Sequence, residues 1–187
     1  MLQRQWKIAL AVTDNNIIIK MKKYTYILGP CSIENEDNFL EVAKTLDGYM
    51  GGKDWYLKGS FDKANRTSIH SNRGPGLDEG IRIMQSIKEA YPNIKIVTDI
   101  HEPSQALPLS DVVDVIQIPA FLCRQTDLLV ECAKNFNIIN IKKGQWLSAD
   151  AMKHAVAKIK EVDPNCEVWV TERGSNFGYD RLIVDFR

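Results

Sequence analysis

No stretch of the chain approaches the roughly 20 consecutive apolar residues that a membrane-spanning helix requires, so the sequence reads as one with no membrane partner. The first seven residues, Met1–Lys7, are polar, and the apolar run behind them, Ile8–Val12, is too short for the hydrophobic core of a secretory signal. Charge of one sign is also missing. Lys plus Arg number 24 against 24 Asp plus Glu, and this balance removes the usual electrostatic basis for binding nucleic acid or an anionic membrane. Cysteine is sparse: Cys31, Cys123, Cys132 and Cys166 form no Cys-x-x-Cys pair, and without a secretory signal they read as free thiols in a reducing cytoplasm. Neither a G-x-G-x-x-G nor a P-loop pattern occurs, which argues against a doubly wound nucleotide-binding sheet.

What is present is a chain of 187 residues, 44% hydrophobic and 26% charged, of ordinary globular composition. Short runs rich in Val, Ile and Tyr recur at Tyr24–Leu28, Trp55–Lys58, Ile94–Thr98, Val113–Ile118, Ile138–Ile141 and Val168–Thr171. Most are continuously apolar, as parallel strands covered by helices are. Amphipathic segments lie between them: Asp37–Met50, Glu79–Tyr91 (ended by Pro92-Asn93), a stripe of Leu128, Leu129, Cys132, Ala133 and Phe136, and another from Met152 to Val162 with Ser148 as its N-cap.

This alternation predicts an α/β fold with a parallel sheet. Polar groups collect after the strands, at Gly29-Pro30-Cys31, Lys58-Gly59-Ser60, Asp99 to Glu102, Gln117, Lys142-Lys143-Gly144 and Glu172-Arg173-Gly174. A (β/α)₈ barrel builds its active site in this way, from the C-terminal ends of several strands. Residues 1–23 read as an N-terminal extension. Trp6–Val12 and Ile17–Lys20 would form a β-hairpin there, plugging the barrel bottom, with residues 24–187 as the barrel domain.

If the strand ends converge, Lys58, Lys63, Lys142 and Arg173 bring four cations into one pocket. Like charges gathered away from water are costly unless an anion neutralises them, so the cluster predicts a small polyanionic ligand. Asn65, Arg66, Ser68, Asp99, His101 and Gln117 occupy neighbouring positions that suit a phosphate and carboxylate site. His101 stands where a proton shuttle is useful, His70 lies in a polar loop, and His154 reads as a surface residue of a helix. His101, Asp99 and Cys31 match no closed zinc motif by spacing.

Several motifs resemble 3-deoxy-D-manno-octulosonate 8-phosphate synthases: Lys58-Gly-Ser-Phe-Asp-Lys-Ala-Asn-Arg-Thr-Ser68, Arg73-Gly-Pro-Gly76, Thr98-Asp-Ile-His-Glu102, Gln117-Ile-Pro-Ala-Phe-Leu-Cys-Arg-Gln-Thr-Asp127, Asn140-Ile-Lys-Lys-Gly-Gln145, and Thr171-Glu-Arg-Gly174 with Phe177-Gly-Tyr179. Gly29-Pro-Cys-Ser32 is also similar to the sister synthase of 3-deoxy-D-arabino-heptulosonate 7-phosphate. The resemblance runs from about Ile27 to Arg187. It implies a transferase of lipopolysaccharide sugar biosynthesis, cytoplasmic and homotetrameric, that condenses phosphoenolpyruvate with D-arabinose 5-phosphate and releases phosphate. By the matching motifs Lys58, Lys63, Gln117, Lys142 and Arg173 hold phosphoenolpyruvate, and Asn65, Arg66, Ser68 and His101 hold the sugar phosphate. Lys63, Lys142, Asp99 and His101 are the catalytic candidates, and Arg124 reaches a neighbouring subunit's sugar phosphate. Cys31 matches a ligand of the metal-requiring branch, which holds one divalent ion (Zn, Fe, Mn or Cd), while the remaining ligands match nothing in this chain.

A complete (β/α)₈ barrel takes about 250 residues. The expectation is therefore an incomplete barrel of about six of the eight βα units, with its first and sixth strands as open edges and little or no synthase activity. The readings left open are a non-catalytic fragment that binds phosphorylated small molecules and the heptulosonate sister enzyme.

Overall fold

The computed structural model describes the backbone at residues 3–5, 8–13, 16–21 and 24–185, and side chains from residue 24 to residue 185. The elements run β1 (Gln3–Gln5), β2 (Ile8–Thr13), β3 (Asn16–Met21), β4 (Thr25–Leu28), α1 (Glu36–Met50), β5 (Trp55–Lys58), α2 (Leu77–Ala90), β6 (Lys95–Asp99), α3 (Ala106–Ser110), β7 (Val115–Ile118), α4 (Thr126–Asn135), β8 (Ile138–Lys142), α5 (Lys153–Val162), β9 (Glu167–Thr171), β10 (Asn176–Gly178) and β11 (Arg181–Ile183).

The strands from β4 to β9 lie side by side in chain order and every neighbouring pair is parallel. Each crossover steps one strand onward in the same direction, so the sheet curls into a partial (β/α)₈ barrel instead of reversing as a doubly wound sheet does. One expectation is corrected here. The edge of β4 is not open: β1 pairs with it antiparallel, Gln3 opposite Ile27 and Gln5 opposite Thr25, and so meets its ladder groups. Among the described residues, β9 ends the other side of the sheet. The strands β2 and β3 form a separate antiparallel pair, Thr13 opposite Asn16. Packing of that pair as a plug rests on side chains outside the described residues.

The period-2 alternation of the strands separates two apolar layers. Leu57, Ile96, Ile116, Ile118, Ile139 and Ile141 point outward and are buried against helix residues such as Phe39, Ile83, Met84, Leu129 and Ile159. Ile27, Tyr56, Val97, Val115 and Trp169 point inward and form a second cluster with Ile138. Two residues further along five of these strands, on that inner face, stand Lys58, Asp99, Gln117, Asn140 and Thr171, with Lys142 two residues beyond Asn140. An apolar floor thus supports a polar rim.

Boundaries shift slightly from expectation. β6 includes Asp99 and β8 includes Lys142, because both join ladders with their neighbours. Ser148 does not cap α5 itself. Its hydroxyl accepts from the Ala151 N–H at 3.2 Å, within a 3₁₀ turn, Asp150–Met152, that leads into the helix.

Candidate functional site

The rim is assembled by backbone close approach as well as by side chains. Gly29, with φ of +148°, packs where a Cβ would stand 1.9 Å from the Lys58 carbonyl oxygen, so only glycine lets β4 end this close to β5. The long loop after β5 folds back through Ser60, whose hydroxyl donates to the Asp62 carbonyl at 2.7 Å. The Arg73 guanidinium grips the Asp62 carboxylate at 2.8 and 2.5 Å, and the Lys63 N–H donates to the Arg73 carbonyl at 2.6 Å. This clasp carries Lys63 back over the rim.

Asp99 is the centre of the arrangement. Lys58 Nζ donates to its Oδ1 at 3.0 Å, Lys63 Nζ stands 3.7 Å from Oδ2, and His101 Nε2 lies 3.8 Å from the same oxygen. Burial alone would raise the Asp99 carboxyl, but Lys58, His101 and Lys63 outweigh it and hold it well below the usual carboxylate range. Lys142 is shifted the opposite way. Burial first, then the charges of Lys58, Lys63 and Arg173, press its ammonium down to about 8, with Asp99 alone opposing them. Three of the four cations expected from the sequence therefore gather around one internal carboxylate: Lys58 and Lys63 pair with Asp99, and Lys142 lies within its field, while Arg173 acts on Lys142 from the exposed edge of the rim.

His101 is oriented by its surroundings. Its ring packs edge-on against Phe61 with centroids 5.7 Å apart, and its N–H donates to Gln105 Oε1 at 2.9 Å within the 3₁₀ turn Pro103–Gln105. Its Nδ1 has no hydrogen-bond partner among the described residues. Beneath the lysines, Gln117 Nε2 donates to Asn140 Oδ1 at 3.4 Å, and Thr171 Oγ1 donates to the same oxygen at 3.0 Å. The Gln117 Oε1 and Asn140 Nδ2 atoms are buried and unpaired among the described residues. Such orphans are costly in a protein interior, and an ordered polar ligand or water satisfies them.

The remaining candidates sit farther out. Asn65, Arg66 and Ser68 are exposed on the outer arm of the β5–α2 loop, where Arg66 Nε donates to the Asn72 carbonyl at 3.1 Å and Ser68 Oγ accepts from the His70 N–H at 3.2 Å. Arg173 is exposed after β9, its charge reaching Lys142. Arg124 is exposed just before α4, outside the cluster, and its carbonyl accepts from Lys158 Nζ at 3.1 Å. A cleft lined by Tyr56, Lys95, Ser110, Asp114, Asn135 and Asn137 opens at the opposite ends of the strands and contains none of these residues.

Cys31 is exposed in the turn after β4. Among the described residues no three His, Cys, Asp or Glu side chains stand close enough to share a metal ion. The described donors therefore do not fit a metal centre.

Three participants were not singled out from the sequence. Asp62 works through a partner 11 positions away, which no local pattern signals. Asn140 shares a face with Lys142 by the i, i+2 rule, a signal that was available. Lys143 is deeply buried beside Lys142 and paired with groups more than 20 residues distant, which is invisible in sequence.

Comparison with known proteins agrees with the geometry. A relative from Campylobacter jejuni subsp. doylei is 51% identical over 179 residues, covering 89% of this chain and 67% of its own length. Relatives from Koribacter versatilis and Wolinella succinogenes are each 47% identical, covering 88% and 86% of this chain and 59% and 65% of their own lengths. All three are named 2-dehydro-3-deoxyphosphooctonate aldolase. The chain spans about two thirds or less of the length of these curated relatives. Among the described residues, no helix is long and apolar enough to cross a membrane. Residues 8–187 match the family described as DAHP synthetase I, a match that takes in the whole parallel sheet and every cation of its rim, so the chain belongs to the DAHP synthetase I family.

Proposed function

We propose that the rim binds phosphoenolpyruvate and D-arabinose 5-phosphate and belongs to a synthase that joins them into 3-deoxy-D-manno-octulosonate 8-phosphate with release of phosphate. The observation that carries this reading is the gathering of Lys58, Lys63 and Lys142 about a single carboxylate, Asp99, with the charge of Arg173 acting on Lys142 from the edge. Forming a carbon–carbon bond between two anions requires that their charges be neutralised and their carbons held in line. Lys58, Lys63, Lys142 and Arg173, with Gln117 below them, suit the phosphate and carboxylate of phosphoenolpyruvate. Asn65, Arg66 and Ser68, on the loop that the Asp62–Arg73 clasp folds back, suit the sugar phosphate. Asp99 and His101 lie 3.8 Å apart beside Lys58 and Lys63 and suit the holding or moving of a proton during the condensation.

On this reading the protein is cytoplasmic and homo-oligomeric, a tetramer in which exposed Arg124 serves a neighbour's sugar phosphate. A divalent ion held through Cys31 would draw its other ligands from outside the described residues. The names of the relatives favour arabinose 5-phosphate over the shorter sugar used by the sister enzyme.

Calorimetric titration with phosphoenolpyruvate tests the site, and phosphate release with arabinose 5-phosphate tests the reaction. Binding that disappears in Lys142→Met supports the reading, and absence of any phosphoenolpyruvate binding overturns it. Release with erythrose 4-phosphate but not arabinose 5-phosphate would reassign the substrate. Binding without release would leave the non-catalytic fragment.

A further inference from the structure

We propose that Lys143 is a positioning residue. It pins the turn after β9 to the turn after β8, and so holds Arg173 beside Lys142 at the anion site. The proposal rests on the anion-binding reading above, and part of its test is independent of that reading.

Lys142 and Lys143 are adjacent in sequence and face opposite surroundings. Lys142 points into the rim among other cations. Lys143 is buried, with 3% of its surface exposed, and its ammonium is saturated by the backbone: Nζ donates to the carbonyls of Gly174 at 2.6 Å, Leu147 at 3.1 Å and Gly144 at 3.3 Å. An ammonium has three protons and no acceptor capacity, so this set uses it fully. Glu172 Oε1 stands 3.4 Å from the same nitrogen and accepts the backbone N–H groups of Arg173 at 2.9 Å and Gly174 at 2.6 Å. The Lys143 N–H donates to the Thr171 carbonyl at 2.9 Å, which extends the β8–β9 ladder to the start of the turn.

The turn is closed from the other side too. Gly174 has φ of +114°, and a Cβ there would lie 2.6 Å from Leu182 Cδ1 and 2.9 Å from the Ile183 carbonyl oxygen. Residues 172–174 are therefore fixed between the Lys143 ammonium and β11. Arg173 is the one residue of that turn whose side chain is charged positively, and it is exposed, so its direction is set through its backbone. Burying a lysine is costly unless every proton is met. Here the three carbonyls met by Lys143 Nζ all lie in the turns that follow β8 and β9, next to Lys142 and around Arg173.

The test is a double-mutant cycle on phosphoenolpyruvate affinity with Lys143→Met, Arg173→Met and the pair, together with limited trypsin digestion without ligand. Glu172→Gln serves as a milder variant that keeps the acceptor for the two N–H groups and removes the charge. Lys143→Met is expected to weaken binding about tenfold in the parent protein and by less than about twofold in the Arg173→Met background. Cleavage after Arg173 should accelerate at least about fivefold in both Lys143→Met and Glu172→Gln, with other cleavage sites unchanged. An equal loss of affinity in both backgrounds would make Lys143 a general structural residue and overturn the proposal. So would unaltered cleavage after Arg173 in both variants. Faster cleavage after Arg173 in the two variants, where the parent protein binds no phosphoenolpyruvate, would sustain the positioning role and overturn only the functional reading.

Discussion

Lys58 Nζ and Asp99 Oδ1 meet at 3.0 Å across β5 and β6, with both side chains about nine-tenths buried on the inner face of the sheet. The pair does not close on itself, because the second Asp99 oxygen is turned towards Lys63 at 3.7 Å and His101 at 3.8 Å. Asp99 is thus a partial counter-charge: it makes the cation cluster tolerable without neutralising it, and on the proposed function an incoming anion completes the neutralisation.

Replacing Asp99 by Asn should lower stability by about 3 kcal/mol at neutral pH, as breaking a buried pair leaves its partners uncompensated. Millimolar phosphate should restore more of the melting temperature in the variant than in the parent. The pH profile gives the sign. Because the Asp99 carboxyl is depressed in the fold, its stabilisation is complete above the unfolded value of about 3.9 and is lost as pH falls through its folded value. Urea titrations at pH 2.5, 4 and 6 check this. A parent and an Asn variant that lose stability in parallel below pH 4 would contradict it.

Lys142 gives the reverse sign on the alkaline side. Its ammonium is pressed to about 8 in the fold and returns to an ordinary lysine value on unfolding, so its burial opposes folding at neutral pH. That cost is lifted as pH rises from about 8 to 10.5, by up to about 3 kcal/mol. Lys142→Met should remove this alkaline rise in stability and lose anion binding. Phosphoenolpyruvate should also draw a proton onto Lys142, up to about half a proton at pH 8, visible as a dependence of binding heat on the buffer's ionisation enthalpy. Identical heats in all buffers at pH 8 would refute proton uptake.

Gly29→Ala should cost more than about 3 kcal/mol, because the new methyl meets the Lys58 carbonyl oxygen at 1.9 Å and the chain there cannot yield without parting β4 from β5. Chemical denaturation, or loss of soluble protein, is the readout. Gly76, whose added Cβ meets nothing within 4 Å although its φ is +85°, should tolerate alanine at a smaller cost and serves as the control.

Arg73→Met should change global stability by less than about 1 kcal/mol, since the Arg73 side chain is 56% exposed. Its effect should appear locally instead. The loop from 62 to 73 should be cleaved faster by protease, and affinity for a sugar phosphate should fall while affinity for phosphoenolpyruvate changes less. Equal losses for both ligands would place the clasp's influence on Lys63 as well as on Asn65, Arg66 and Ser68.

Much of the fold was legible in the sequence because the parallel strands β4 to β9 are short runs rich in apolar residues and the longer helices carry an apolar stripe, and these patterns depend only on local geometry. The placement of Lys58, Asp99, Gln117, Lys142 and Arg173 at or just past strand ends was equally legible, since a parallel sheet delivers all such ends to one side. The pairing of β1 with β4 was not, because Gln3–Gln5 carry no apolar signature and the ladder is a pairing of backbone groups.

The sequence by itself determined the class of fold, the residue types on the rim and the sign of the charge the rim gathers. The tertiary structure alone decided how those charges are shared. Lys58 and Asp99 lie 41 positions apart yet touch, while Lys142 and Lys143 are neighbours in sequence that the two-residue period of β8 sends to opposite sides. One lysine is left seeking an anion and the other is satisfied by three carbonyls. Coulomb energy and hydrogen bonding depend on distance through space, and only the curl of the sheet sets those distances.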